Sequence, residues 1–362
     1  MMKHLEEYRQ RRLVEKVAGK LRSYAAAPVR FMEVCGGHTM TVHRFGLRSL
    51  LPPSITLISG PGCPVCVSGQ GFIAALIKLA SDPSVILTTY GDLLRIPCGA
   101  RSLEKERSSG ADIRIVYSVM EALALAKTNP GKRIVFAGIG FETTAPLTAA
   151  AILRAETEGL RNFFVYSSHK IMPPALDWIA NHSPGIRGFI APGHVTAVAG
   201  MSIYGDLVRK YPVSVVVSGF EPLDMMLAIL MLAEQVVQGR FQVENAYRRA
   251  VLPEGNPKAR TVMMDVFQEG DALWRGLGLI PASGLRIRKR FEAFDAGVVF
   301  GVKEPDMPEP KGCLCGAVIT GRSTPADCKL FGTACTPENP VGACMVSSEG
   351  TCSVWHRYKS TV

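Results

Sequence analysis

The chain has 362 residues, of which 47% are hydrophobic and 20% are charged, a balance typical of a folded globular protein with room for two or three domains. Its formal net charge is +10, which raises the question of a nucleic-acid partner. The lysines and arginines are scattered, however, and no nucleic-acid motif accompanies the densest run, at residues 286–290. We therefore expect a solvated basic face and no nucleic-acid partner.

The sequence also predicts a soluble, cytoplasmic protein with no membrane segment. Residues 1–12 carry several charges and no apolar stretch, which argues against a secretory signal peptide. The longest apolar run, residues 225–233, is much shorter than the ~18–20 residues that span a bilayer.

Between residues 31 and 220, short β-branched runs alternate with helical stretches, which is typical of α/β folds with largely parallel sheets. The predicted strands are 31–34, 55–59, 85–89, 113–117, 134–137, 163–166, 189–191 and 213–217. The predicted helices include 72–80, 119–127, 145–156 and 223–238. Eight strands are more than one small sheet usually needs.

Two similar α/β lobes would explain a short internal repeat in the sequence. The tripeptide Gly-Phe-Glu follows a strand and opens a helix at residues 140–142, and does so again 79 residues later at 219–221. We predict lobe I at residues 31–158 and lobe II at 159–250. The remaining residues, 1–30 with 251–362, form a third domain in this prediction.

Cysteines divide the chain into two regions of different thiol chemistry. Four of the ten lie in the first hundred residues, none lies in the next two hundred, and six lie between Cys313 and Cys352. In a reducing compartment this pattern favours metal binding or redox chemistry over a structural disulfide framework. Residues 311–362 also have too few apolar residues for an ordinary hydrophobic core, so we expect a metal site to stabilise that segment.

Several predicted strands end in loops that carry reactive side chains. Ligands bind at the carboxyl ends of parallel strands, so we expect these loops to face one cleft. The segments are Cys35-Gly36-Gly37-His38-Thr39, Gly60-Pro61-Gly62-Cys63-Pro64-Val65-Cys66, Gly140-Phe141-Glu142-Thr143-Thr144, Ser168-His169-Lys170, Pro192-Gly193-His194 and Gly219-Phe220-Glu221. A buried structural cysteine at a glycine turn is the alternative explanation for Cys35.

Cys63 and Cys66 form a C-x-x-C motif at a strand end that opens a helix. A helix N-terminus stabilises thiolate, so the pair could switch between dithiol and disulfide, or chelate a metal. No second C-x-x-C completes a zinc ribbon. Residues 138–143 resemble the start of a dinucleotide-binding loop, but Thr143 replaces the third glycine and Glu142 would repel a pyrophosphate.

The six C-terminal cysteines can supply four ligands in fifteen ways, and spacing alone does not choose among them. Both a zinc site and a [4Fe–4S] cluster take four thiolates. From the residues alone, both remain open.

The strand-end motifs, together with Cys335-Thr336-Pro337-Glu338 and Pro340-Val341-Gly342-Ala343-Cys344, resemble the HypD family of hydrogenase maturation proteins over essentially the whole chain. This resemblance implies two Rossmann-like parallel-sheet lobes plus a small Cys-rich iron–sulfur domain. Its cysteine pattern implies a [4Fe–4S] cluster and excludes Cys313 and Cys344. The implied cluster ligands are Cys315, Cys328, Cys335 and Cys352.

The resemblance further implies a scaffold on which the Fe(CN)2CO unit of [NiFe]-hydrogenase is assembled together with the chaperone HypC, with HypE and HypF delivering cyanide. Cys35 would be the primary iron ligand, with Cys63 and Cys66 as redox-active or metal-binding thiols. His38, Glu142 and Glu221 would act beside them. Met40 departs from the family pattern, which commonly has a second histidine there.

Two other functions remain open at this stage. One is a cluster-dependent thiol–disulfide oxidoreductase that acts on a protein partner through Cys63 and Cys66. The other is a zinc-stabilised binding module.

Overall fold

The computed structural model describes residues 6–24 and 27–358. Its strands are β1 (Val29–Glu33), β2 (Ile55–Ser59), β3 (Val85–Thr89), β4 (Ile113–Ile115), β5 (Arg133–Gly140), β6 (Phe163–His169), β7 (Ile186–Pro192), β8 (Ser214–Ser218), β9 (Val243–Asn245), β10 (Phe267–Trp274) and β11 (Gly278–Ile287). All eight predicted strands are present, and two of them have the predicted bounds.

Helices follow most of the strands, as an α/β fold requires. They are α1 (Arg11–Leu21), α2 (Gly36–Arg44), α3 (Pro64–Val67), α4 (Gln70–Ala80), α5 (Gly91–Leu94), α6 (Leu103–Ser108), α7 (Val119–Thr128), α8 (Ala145–Thr157), α9 (Met172–His182), α10 (Gly193–Ala199), α11 (Gly205–Lys210), α12 (Pro222–Val237), α13 (Pro257–Val266), α14 (Ala296–Val299), α15 (Cys315–Ile319), α16 (Ala343–Val346) and α17 (Thr351–Arg357). Short 3-10 helices lie at Glu6–Arg9, Arg22–Tyr24, Leu47–Leu50, Met201–Tyr204, Lys289–Phe294 and Pro325–Asp327. None of the helices in the described part of the chain is long and apolar enough to cross a membrane.

Two parallel sheets form the body of the protein. Sheet A has the strand order β2-β1-β7-β8-β9, and sheet B has the order β4-β3-β5-β6. Strands such as β3 and β8 are buried at every residue, which is why they appear in the sequence as continuous apolar or β-branched runs. The architecture is the predicted pair of Rossmann-like lobes with a Cys-rich C-terminal region.

Sheet membership differs from the predicted lobe limits of 31–158 and 159–250. The chain begins in sheet A with β1 and β2, crosses to sheet B for β3 to β6, and returns to sheet A for β7 to β9. Helix α1, predicted to belong with the C-terminal domain, packs against α12 beside sheet A. Strand β1 pairs with β7, so sheet A combines strands from both predicted lobes.

The main hydrophobic core lies between the sheets. It joins Met32 and Val217 of sheet A with Val135 and Tyr166 of sheet B. Residues of the Cys-rich segment (residues 311–358), including Cys344, complete this core. The segment therefore packs on the body of the protein instead of forming a separate globule.

The antiparallel hairpin of β10 and β11 and the helix α13 were not predicted from the sequence. Trp274 at the end of β10 is buried in the main core, and its indole Nε1 donates to the hydroxyl of Ser283 at 2.8 Å. The next residue, Arg275, is buried against the Cys-rich segment.

Candidate functional site

A cleft of about 930 Å³ opens where the carboxyl ends of strands from both sheets converge. Its walls come from the loops after β1, β2, β3, β5, β7 and β8 and from residues 347–349 of the Cys-rich segment. The reactive side chains that line it are Cys35, Cys63, Asp92, His194, Glu221 and Glu349. The prediction that strand-end loops face one cleft is confirmed for these loops.

Cys35 lies at the point where β1 gives way to α2. It has extended backbone angles and is the N-cap residue of that helix, with the backbone N–H groups of Gly37 and His38 beside its sulfur. A Cβ on Gly37 would lie 3.0 Å from the ring of Phe220, and one on Gly36 would lie 2.5 Å from the carbonyl oxygen of Glu349. The two glycines therefore allow Phe220 and Glu349 to approach Cys35 closely.

The surroundings of Cys35 favour the protonated thiol. Burial, together with the negative charge of Glu349, raises its pKa to about 12, against the partial compensation of the two backbone N–H groups. A cation bound at the sulfur would reverse this preference, because thiolate is the form that binds metal. Glu349 was not identified from the sequence.

Cys63 and Cys66 lie on the loop beside Cys35. Cys63 is the N-cap residue of α3, and its sulfur accepts from the backbone N–H of Cys66 at 3.3 Å. Cys63 lines the cleft, whereas Cys66 is buried behind it. Burial raises the pKa of the Cys66 thiol well above its ordinary value.

A continuous run of thiols leads from Cys66 into the Cys-rich segment. The thiol of Cys66 lies beside that of Cys344, and the sulfur of Cys344 lies 2.8 Å from that of Cys315. Cys344 also contacts Cys352, and Cys315 contacts Cys313. The two groups of cysteines that are distant in the sequence thus form one connected array.

Arg275 places a buried positive charge beside this array. Its side chain donates to the carbonyl oxygen of Ser68 from Nε at 3.0 Å and from Nη2 at 2.8 Å, and it pairs with Glu309. Burial lowers its pKa, but the nearby Cys315, Glu309, Cys344 and Cys66 raise it by more. A fixed guanidinium favours the thiolate form of neighbouring cysteines. No local sequence motif marks this arginine.

Six cysteines line one small cavity in the Cys-rich segment: Cys313, Cys315, Cys328, Cys335, Cys344 and Cys352. All are free thiols, and the cavity is lined by no oxygen or nitrogen ligand side chain. This soft donor set fits an iron–sulfur cluster. The cavity is only about 10 Å³, so the cysteine side chains must rotate outward to admit one.

As the side chains stand, no group of three His, Cys, Asp or Glu residues in 6–24 and 27–358 is arranged to hold a single metal ion. The choice of a fourth cluster ligand also stays open. The thiol of Cys315 is directed at Cys344, whereas the cysteines near Cys335 are Cys352 and Cys313. Either Cys315 or Cys313 could therefore be the fourth ligand. The set Cys315, Cys328, Cys335 and Cys352 therefore stays a prediction.

His38 is fully buried and does not line the cleft. Its Nε2 lies 3.3 Å from the carbonyl oxygen of Ser218, and its ring packs on Phe220, with 4.9 Å between centroids. Burial lowers its pKa to about 4, so the imidazole is neutral at pH 7. His194 also stacks on Phe220, with 4.1 Å between ring centroids, and it is exposed and lines the cleft.

The two glutamates of the repeated tripeptide occupy different environments. Glu221 lines the cleft and pairs with Arg9, with 2.5 Å between Nε and Oε2. Glu142 is turned into the core, where it accepts the backbone N–H of Met172 at 2.9 Å and its second oxygen has no partner. Burial raises the pKa of Glu142 to about 7. The expectation that both glutamates face the cleft thus fits Glu221 alone.

Comparison with known proteins shows to which family this chain belongs. A family model named HypD, described as the hydrogenase formation hypA family, matches residues 10–359. This chain belongs to the HypD family. The resemblance read from the strand-end motifs is therefore confirmed.

Curated relatives match along nearly their full length. The hydrogenase maturation factor HypD2 of Bradyrhizobium diazoefficiens is 45% identical over 369 residues, which cover 99% of this chain and 97% of that protein. The hydrogenase maturation factor HypD of Cupriavidus necator has the same identity and coverage. That of Rhodobacter capsulatus is 45% identical over 352 residues, covering 95% of this chain and 93% of the relative.

Proposed function

We propose that this chain is a hydrogenase maturation factor that holds iron at Cys35 while its cyanide and carbon monoxide ligands are completed. The observation that supports this is the place of Cys35 in a large cleft that it shares with Cys63, whose partner Cys66 begins the thiol array. Iron carrying strong-field diatomic ligands is a soft acceptor that matches thiolate. The iron unit is cargo, assembled here and passed on.

The residues around Cys35 have distinct tasks in this proposal. The backbone N–H groups of Gly37 and His38 stabilise the thiolate once iron has displaced the proton. The open cleft in front of Cys35 gives space for the diatomic ligands, while the two glycines let Phe220 and Glu349 form its walls. The neutral ring of His38 keeps Phe220 in place at the cleft wall, since the two rings pack together.

The Cys-rich segment would hold a [4Fe–4S] cluster through Cys328, Cys335, Cys352 and either Cys315, as the family resemblance implies, or Cys313. Such a cluster supplies electrons one at a time. Cys344 and Cys66 lie between the cluster ligands and the cleft, so they place Cys63 in thiol contact with that region. Arg275 stabilises whichever of these buried thiols is ionised.

The proposed partners are a HypC-type chaperone, which shares the iron, and HypE with HypF as the cyanide donor. Phe45, Ile115 and Tyr117 line the cleft and are 37%, 43% and 90% exposed, respectively. Exposed apolar side chains around a cleft mouth are typical of a docking surface for another protein. We propose that these events take place in the cytoplasm.

The thiol array also supports a second candidate function, a thiol–disulfide oxidoreductase. Cys63 is the thiol that a protein substrate could reach, and Cys66 is placed to displace a mixed disulfide formed at Cys63. In that case the two electrons and two protons that reduce the substrate disulfide leave Cys63 and Cys66 as a disulfide. No diatomic ligands would then be found on the protein.

The two functions are separated by anaerobic purification with the HypC partner, followed by infrared spectroscopy and iron analysis. Maturation predicts cyanide and carbonyl bands that Cys35→Ala abolishes while the visible spectrum of the cluster persists. Cys98→Ala is the matched control, because this thiol is also buried and its hydrogen-bond partners, Gln70 and Met307, do not line the cleft. Full band intensity in Cys35→Ala would contradict iron binding at Cys35.

The fourth cluster ligand is decided by a pair of variants. Cys313→Ala and Cys315→Ala are compared for iron content and for the visible spectrum after anaerobic purification. Loss of the cluster in Cys315→Ala alone confirms the family pattern. Loss in Cys313→Ala alone assigns Cys315 to the thiol array with Cys344 and Cys66.

A further inference from the structure

A cavity of about 240 Å³ lies between the edge strand β2 and the Cys-rich segment, and it shares no lining residue with the cleft. Its walls carry Arg30, Arg48 and Arg322 but only one carboxylate, Asp327. That carboxylate already accepts hydrogen bonds from the backbone N–H and the hydroxyl of Thr324. We call this site the arginine cavity, and it carries an excess of positive charge.

Two hydrogen-bond donors at the arginine cavity have no partner. The Nε of Arg48 and the indole Nε1 of Trp355 are both buried and make no hydrogen bond. The Cζ of Arg48 lies 5.4 Å from the centroid of the Trp355 ring, so the two side chains pack together at the wall of the cavity. Buried polar groups in native proteins are rarely left without a partner.

The carboxylates nearby do not satisfy these arginines. Glu33 forms an ion pair with Arg48, but its closest oxygen is 3.8 Å from Nη2, which is longer than a hydrogen bond, so the Nε of Arg48 still has no acceptor. Arg30 donates to the carbonyl oxygen of Gly321 at 3.0 Å, and Arg322 donates to uncharged oxygens only. Within residues 6–24 and 27–358, neither Arg30 nor Arg322 pairs with a carboxylate.

We propose that the arginine cavity binds a tetrahedral oxyanion, either free phosphate or the phosphate group of a nucleotide. Arg48 and Trp355 donate to its oxygens, and Arg30 and Arg322 supply the balancing charge. Because the cavity is walled by β2, by residues 321–327 and by α17, a bound anion ties the Cys-rich segment to the edge of sheet A. This inference does not depend on the proposed function.

The test observes the indole N–H of Trp355 directly. The protein is labelled with ¹⁵N at its three tryptophans, and phosphate is titrated at constant ionic strength with chloride as the compensating anion. One indole resonance is expected to shift saturably, and the resonance that is missing in Trp355→Phe identifies it. This substitution keeps an aromatic ring against Arg48 and removes the N–H.

Calorimetry then measures the affinity. Trp355→Phe is expected to weaken phosphate binding about tenfold, as the loss of one charge-assisted hydrogen bond would. The exposed Arg322→Gln weakens it as well and tests the same site if the tryptophan variant does not fold. Arg101→Gln, which removes the same charge at a different cavity, leaves the affinity unchanged.

Titration with AMP distinguishes the two sources of phosphate. Tighter binding than that of phosphate identifies a phosphorylated organic ligand, and weaker or equal binding identifies the free ion; both outcomes support the oxyanion site. The proposal is overturned if 20 mM phosphate shifts no indole resonance. It is also overturned if Arg101→Gln weakens binding as much as Arg322→Gln does, because the effect would then be one of net charge.

Discussion

Gly62 determines how closely the two cysteine loops of the cleft approach each other. A Cβ at this position would lie 2.2 Å from the Cα of Cys35 and 2.3 Å from its backbone nitrogen. Ordinary contact begins at 3.4 Å, so Gly62→Ala must separate the two loops by about 1.2 Å. Backbone cannot rotate away as a flexible side chain can. Overpacking of this kind costs about 1–3 kcal/mol of the free energy of unfolding.

The functional effect of Gly62→Ala should exceed its effect on stability. A displacement of about 1 Å at a reacting centre can reduce a rate by roughly 10²-fold, so we expect the cyanide and carbonyl bands to be nearly lost. Thermal unfolding and the infrared spectrum are measured on the same anaerobic preparation. Gly131→Ala is the control, since no atom lies within 4 Å of its Cβ position. Wild-type bands in Gly62→Ala would refute the claim that the loop spacing matters.

Three further predictions concern buried charges. Burial raises the pKa of Glu142 to about 7 in the folded protein, above the 4.5 of the free side chain, so the free energy of unfolding falls as the pH rises from 4.5 to 7. Glu142→Gln should remove this dependence. At pH 8 urea unfolding should show it to be more stable than the wild type by about 3 kcal/mol. Glu349→Gln removes a charge that raises the pKa of Cys35, so iodoacetamide should alkylate Cys35 faster at pH 8, as followed by mass spectrometry. Arg275→Gln removes a cation that lowers the pKa of the partly exposed Cys313 and should slow the alkylation of this thiol in urea-free buffer. Arg275→Lys should restore the rate, and equal rates in all three proteins would exclude an electrostatic role.

The strands and the cleft loops were predictable because their signals are local. Buried parallel strands require continuous apolar or β-branched residues, so β2 and β3 have the bounds that the sequence predicts. The rule that ligand loops follow the carboxyl ends of strands then placed Cys35 and Cys63 in one cleft.

Side-chain direction within those loops was not predictable from strand ends alone. Phe141 and Thr143 line the cleft while Glu142, between them, is turned into the core to accept the N–H of Met172. The hairpin was missed for a related reason. Most residues of β10 are at least partly exposed, so it lacks the continuous apolar run that marks the parallel strands.

Contacts between segments that are distant in the sequence could not be predicted from local patterns. In this protein such contacts join the cleft to the Cys-rich segment. Cys66 and Cys344 are 278 residues apart in the sequence, yet their thiols are in contact. That contact exists because α16 packs against α3. A Cβ on Gly350 would lie 2.2 Å from the carbonyl oxygen of Cys344, so the turn after α16 closes only with glycine there. The same turn carries Glu349 to the wall beside Cys35. The Cys-rich segment is therefore a structural part of the cleft, and a change in its packing reaches Cys35 and Cys66 together.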